Sequence, residues 1–205
     1  MGLFSKKRPG SGSSAGPENS SKPTITAEQQ KVIMQKRIQI KQAQEEALER
    51  LPLRKLYIVL WIRNDPPEQN DFHWGFYYHK TAAGGAKYHI KELSSGWITD
   101  HGTTGGVMKS LFLCVLIEIG TISESSEATF DQIVRTYDRT LNTIQGLTCR
   151  VWVMKIIPLL VRQGLLRCND VKALQAECMN FGNRYARSAA AAEQPRPIMV
   201  ATTCF

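Results

Sequence analysis

Residues 72–79 read Phe72-His73-Trp74-Gly75-Phe76-Tyr77-Tyr78-His79, "FHWGFYYH", and residues 87–93 read "KYHIKEL". In an extended chain successive side chains point to opposite faces. Phe72, Trp74, Phe76 and Tyr78 therefore make one apolar face, and His73, Gly75, Tyr77 and His79 fall on the other. In the second stretch Tyr88 and Ile90 are apolar, which leaves Lys87, His89 and Lys91 facing away from them. The intervening "KTAAGGA" is turn-rich, so the two runs are expected to pair as a hairpin. Any register whose paired numbers add to an even value puts His73 and His89 on one face. A slip of one residue separates them and mixes the two apolar sets, so the hydrophobic pattern favours the shared face. Gly75, between His73 and Tyr77, leaves open space beside the imidazole.

Outward from this hairpin the same grammar continues. "KLYIVLWIR" (55–63), "GWITD" (96–100) and "SLFLCVLIEIG" (110–120) read as strands between turn-rich loops. "FDQIVRTYD" (130–138), "CRVWVMKIIPLLVRQG" (149–164) and "NDVKALQAECMNFGNRYAR" (169–187) read as helices, the last capped by Asn169 or Asp170. Strands first and helices afterwards predict an α+β fold, with an antiparallel sheet of about five strands packed against the C-terminal helices. Upstream, Thr26 followed by Gln29 is a capping-box signature for a long helix that stops before Pro52. Val32, Ile33, Ile38, Ile40, Ala43, Ala47 and Leu51 hold no strict heptad. That favours a helix lying against or beside the domain over a partner-binding coiled coil. The expected organisation is a disordered tail over 1–23, an N-terminal helix over 24–54, the α+β domain over 55–187 and a C-terminal tail over 188–205.

A net charge of +8 raises the question of nucleic acid. The cations are dispersed, however: Lys6, Lys7 and Arg8 sit in the tail, and Lys31, Lys36, Arg37 and Lys41 are interleaved with glutamines. This describes a solvated helix face, and nucleic acid is not the expected partner. No apolar run approaches the ~18 residues that span a bilayer, and "MGLFSKKRPGSGS" has no secretory apolar core, so a soluble cytoplasmic protein is expected. Met1-Gly2 begins a near-match to a myristoylation signal, with Lys6 where the signal wants Ser or Thr, so the case for membrane tethering is thin. The five cysteines are odd in number and contain no C-x-x-C pair, which reads as reduced thiols without a disulfide framework or metal site. "GTTGG" (102–106) lacks the Lys and helix of a phosphate loop, and no cofactor is implied.

Cys149 stands where the loop "TIQGLT" gives way to an amphipathic helix, and at helical spacing it shares a face with Trp152, Val153, Ile156 and Leu160. A thiol in a first helical turn feels unpaired N–H groups and the positive end of the macrodipole, which favour thiolate and can receive an oxyanion. Nucleophilic cysteine chemistry needs a base and a group that orients the base. Cys149 with His73 as base and His89 as orienter meets that need; equally, a free Cys and aromatic-flanked histidines are common structural residues of a core. His79 and His101 adjoin loops and read as solvated, and Cys114 as buried and inert. Trp61, Trp74, Trp97 and Trp152 read as core, and Tyr77 as either cleft lining or packing.

The succession "HWGFYY…KYHIKE…CRVWV" resembles the circularly permuted papain-like arrangement of the lecithin:retinol acyltransferase and NlpC/P60-related groups. There a His-Trp strand and a second His strand precede a helix opening with the nucleophilic Cys. The nearer likeness, over about Leu56 to Tyr185, is to an uncharacterised fungal domain family with "LYIxLxxR", "HWG/A", "YH" and "NCRxWV" motifs, here "LYIVLWIR", "HWGFYY", "KYHI" and "TCRVWV". Thr148 replaces the Asn often found before the cysteine, and Arg150 follows it where the acyltransferases prefer an acidic residue. The resemblance implies Cys149 as nucleophile, His73 as general base and His89 as third polar member; Gly75 and Tyr77, on the strand face of His73, are the candidates to line the substrate cleft. The implied function is a cysteine hydrolase or acyltransferase acting on an amide, ester or thioester of an acyl or peptide-like substrate. The competing expectation is a non-catalytic papain-like domain that binds a protein partner through its N-terminal helix.

Overall fold

The β-branched and aromatic runs assemble because each has a face to keep from water. In a computed structural model describing residues 26–205, β1 (Lys55–Ile62) lies between β2 (Phe72–Thr81) and β7 (Leu113–Thr121). Beyond β2 come β3 (Gly84–Tyr88) and β6 (Gly102–Thr104), and beyond β7 comes β8 (Ile198–Val200). β4 (Ile90–Leu93) and β5 (Gly96–Thr99) form a separate hairpin. All pairings are antiparallel except β7–β8, which is parallel, so the sheet is mixed and six-stranded where an antiparallel sheet of about five was expected. The helices are α1 (Ala27–Glu49), α2 (Glu127–Val134), α3 (Cys149–Arg162) and α4 (Val171–Ala190). Among the described residues no helix is long and apolar enough to cross a membrane.

Both faces of the sheet are covered. On one, Leu56, Ile58, Leu60, Trp74, Phe76 and Tyr78 meet Trp152, Val153, Ile156 and Leu160 of α3 and Leu174 and Cys178 of α4. On the other, Tyr57, Val59, Tyr77 and Leu116 meet Ala47 and Leu48 near the end of α1, Leu51, and Val107 and Met108 of a 3-10 turn. Burial on both sides explains why β1 reads as a nearly unbroken apolar run rather than an alternating one. The reciprocal cap expected at α1 is present: Thr26 N–H donates to Gln29 Oε1 at 2.9 Å and Gln29 N–H to Thr26 Oγ1 at 3.2 Å. The chain divides into two units between Lys36 and Arg37, within α1, and the site described below lies wholly in the second. The expected disordered tail and the Gly2 signal lie outside the described residues.

The segment from Ser188, expected as a tail, is built into the domain. Arg196 is buried, and its guanidinium donates to the carbonyls of Ser188 at 3.0 Å and Ala189 at 3.1 Å, satisfying the end of α4. β8 then pairs with β7, and a disulfide joins Cys168 to Cys204, leaving Cys114, Cys149 and Cys178 free. That bridge corrects the expectation of five reduced thiols. A short parallel strand gives no alternation to read, and spacing does not encode disulfide pairing.

Candidate functional site

Local chain chemistry puts Cys149 at the head of its helix. Thr148 is extended, and its hydroxyl caps α3 by accepting from Val151 N–H at 3.1 Å, so Cys149 is the first helical residue. Its thiol is buried and directed at the Phe72 carbonyl, with Sγ and O 4.0 Å apart. Burial pushes the thiol above its ordinary value, although the N–H groups of Trp74 and Arg150 and the charge of Arg63 pull the other way.

The residue after Phe72 is His73. The β2–β3 register sets Phe76 opposite Tyr88 and Tyr77 opposite Lys87, an even sum, so His73 and His89 do share a face. "KYHIKEL" is not one strand, however: β3 ends at Tyr88, β4 starts at Ile90, and His89 sits at the break with its carbonyl accepting from Asp100 N–H at 2.9 Å. There His73 Nε2 and His89 Nδ1 lie 2.7 Å apart, hydrogen-bonded. Among the described residues the hydrogen bond of the His73 ring is made at Nε2, and none is formed at Nδ1. His89 Nε2 faces two groups at 3.3 Å, the Lys87 ammonium and the Asp100 carboxylate. Burial, reinforced by Arg63 for His73 and by His73 itself for His89, lowers both imidazoles to about 4, so both are neutral at physiological pH.

Cys149, His73 and His89 line one cleft of about 780 Å³, together with Trp61, Arg63 and Lys87. No hydrogen bond joins Cys149 to His73; the geometry brings thiol and imidazole to one cavity. Trp61 is the cross-strand neighbour of His73, and its ring lies 5.4 Å from that imidazole and 5.7 Å from His89. It is therefore a wall of the cleft and not a core residue as expected. Trp97 is a second wall, held by Asn142, which accepts from Trp97 N–H at 2.7 Å and donates to its carbonyl at 3.0 Å. Trp74 and Trp152 are core as expected.

The remaining expected residues separate. A Cβ added to Gly75 would lie 2.8 Å from both His89 Cβ and the Tyr88 carbonyl oxygen, so this glycine makes room for His89 and does not line the cleft. Tyr77 does not line it either. It is fully buried in the second core, its ring stacked on Tyr57, and its hydroxyl is 2.8 Å from His79 Nδ1. His79 is fully buried and His101 nearly so, the latter 3.2 Å from Asp138, where both were expected in solvent. Cys114 is buried and its thiol pushed up to about 12 by that burial. Asp100 was absent from the expected set. Burial opposes its ionisation, but His89, Lys87 and Lys91 hold its carboxyl below the ordinary value.

No family model, curated protein or solved structure matches this chain. Among the described residues no group of three or more His, Cys, Asp or Glu side chains is placed to hold a metal ion.

Proposed function

We propose that the domain is a permuted papain-like cysteine hydrolase or acyltransferase acting on an amide, ester or thioester. One observation carries this reading: Cys149, at the head of α3, shares a cleft with an imidazole pair whose outer ring has a free nitrogen. In the proposed reaction Sγ attacks the acyl carbon as His73 Nδ1 takes the thiol proton. Because thiol and imidazole are both neutral at rest, proton transfer accompanies attack and no standing thiolate is needed. The N–H groups of Cys149 and Arg150, which precede the Val151 N–H capped by Thr148 and have no intrahelical acceptor, are available to the oxyanion. Collapse expels the leaving group with the proton from His73 and leaves a thioester on Cys149. Water or an acceptor nucleophile, deprotonated by His73, then releases the acyl group.

A second reading, a non-catalytic papain-like domain that binds a protein partner, has its own support. The thiol meets a carbonyl and not an imidazole, and Val32 and Met34 of α1 expose apolar side chains. A cytoplasmic setting suits the three free thiols, whereas the Cys168–Cys204 bridge needs protection from reduction there. p-Nitrophenyl acetate, assayed with and without added succinate, separates the two functions. The enzyme reading expects a burst of p-nitrophenolate equal to the protein present, with one acetyl group on Cys149 by mass spectrometry. Hydrolysis unchanged in Cys149→Ala would overturn it.

A further inference from the structure

The free nitrogen of His73 is a base only in one of two proton arrangements, and His89 decides which. A neutral imidazole has one N–H and one bare nitrogen. If Lys87 donates to His89 Nε2, across 3.3 Å, then His89 Nδ1 carries the proton and donates to His73 Nε2. His73 must then carry its own proton on Nδ1, and it meets the cleft as a donor. If instead His89 Nε2–H turns to Asp100, also at 3.3 Å, every role reverses. His89 Nδ1 accepts from His73 Nε2–H, and His73 Nδ1 is bare. The conversion conserves protons: one enters from water at His89 Nε2, the shared proton crosses from His89 Nδ1 to His73 Nε2, and one leaves His73 Nδ1 to water.

The cation that holds the donor arrangement also faces the cleft. Lys87 lines the cavity with His73 and His89, whereas Asp100 does not. Asp100 is shared at 3.4 Å by Lys87 and Lys91, so two ammonium groups lean on one carboxylate. The charged groups lining the cavity are Arg63, Lys87 and Lys91 against Glu92, and Arg63 has Asp71 at 3.6 Å. Lys87 can therefore leave for a new anion while Lys91 stays with Asp100.

We propose that Lys87 and Asp100 compete for His89 Nε2, and that a carboxylate on the substrate, by drawing Lys87 into the cleft, switches His73 Nδ1 from donor to proton acceptor. Lys87 and Asp100 are then positioning residues, and the substrate class is an acyl compound bearing a carboxylate. This rests on the Cys149 hydrolase or acyltransferase reading.

The test is long-range proton–nitrogen NMR of the full chain with labelled histidines near pH 7.5, on wild type, Lys87→Met and Asp100→Ala, each with and without succinate. In wild type, His73 Nδ1 is expected to give the signal of a protonated ring nitrogen and to shift toward that of a bare one on adding succinate, but not on adding sodium chloride of equal ionic strength. Lys87→Met should show the bare nitrogen without succinate, and Asp100→Ala should stay protonated with it. Lys87→Leu, which likewise has no donor, serves if the methionine variant misfolds. The same His73 Nδ1 signal in wild type and Lys87→Met, or a wild-type signal unmoved by succinate, overturns the proposal. The readout is independent of turnover: if the shifts appear while Cys149 accepts no acyl group, the competition stands and the enzyme reading fails.

Discussion

His73 and His79 lie on one strand and one face, yet they live in different surroundings. At the His79 end that face is closed by Ala47, Leu48 and Leu51, and the imidazole is fully buried against Tyr77. At the His73 end the face borders the cleft that Cys149 also lines. Burial at one end makes a polar pair a structural element, and partial burial at the other keeps a neutral imidazole within reach of solutes. The same alternation that placed both histidines on one face could not say what covers each.

This contrast is most sharply broken by exchanging the roles of the two ends. His73→Asn should lower acyl transfer by ~10²–10⁴-fold with little change in stability, the usual contribution of a positioned general base. Steady-state kinetics beside urea unfolding measures both. Tyr77→Phe at the closed end should do the reverse, costing about 1–3 kcal/mol by leaving His79 Nδ1 without its partner and sparing turnover per folded molecule. An equal loss of turnover in the two variants would erase the distinction.

Removing the large residues tests the faces themselves. Trp152→Ala, on the helical side, should cost about 3–5 kcal/mol in urea unfolding, as for a fully buried indole. Gly75→Ala should cost less, about 1–3 kcal/mol, because its Cβ must push on His89 Cβ and the Tyr88 carbonyl. It should also disturb the His73–His89 bond, visible as altered imidazole nitrogen shifts.

A separate effect is in acid. His73 and His89 fall from an ordinary value near 6.5 to about 4 on folding. Between those values the unfolded chain binds protons that the folded one refuses. Stability is therefore full above about pH 6.5 and declines as pH drops toward 4, by up to about 1.4 kcal/mol per pH unit for each imidazole. Urea unfolding across that range should show the slope, and the double variant His73→Asn, His89→Asn should flatten it. His79 and His101, both also lowered by burial, add to the slope in the same direction.

Much of this was legible in the sequence. Period-two alternation over 72–79 and 87–91, with the requirement that apolar sets not mix, gave the shared face of His73 and His89, and the passage from the loop 143–148 to an amphipathic run gave Cys149 as the start of α3. The rest depends on contacts distant in the chain. Tyr77 is buried by α1 and Trp61 is left at the open end, although both sit on strands of similar composition. Asp100 reaches His89 because the chain breaks between β3 and β4, where "KYHIKEL" reads as continuous. Arg196 and Cys204 look like tail residues until the end of α4 and Cys168 supply their partners.

The most direct test of the central claim is the pH dependence of iodoacetamide labelling at each free cysteine in the presence of succinate, followed by mass spectrometry on folded wild type and His73→Ala. The account predicts that Cys149 labels near neutral pH ahead of Cys114 and Cys178, at least about tenfold faster with His73 present than without it. Labelling of Cys149 only on unfolding, or at equal rates in the two proteins, would contradict it.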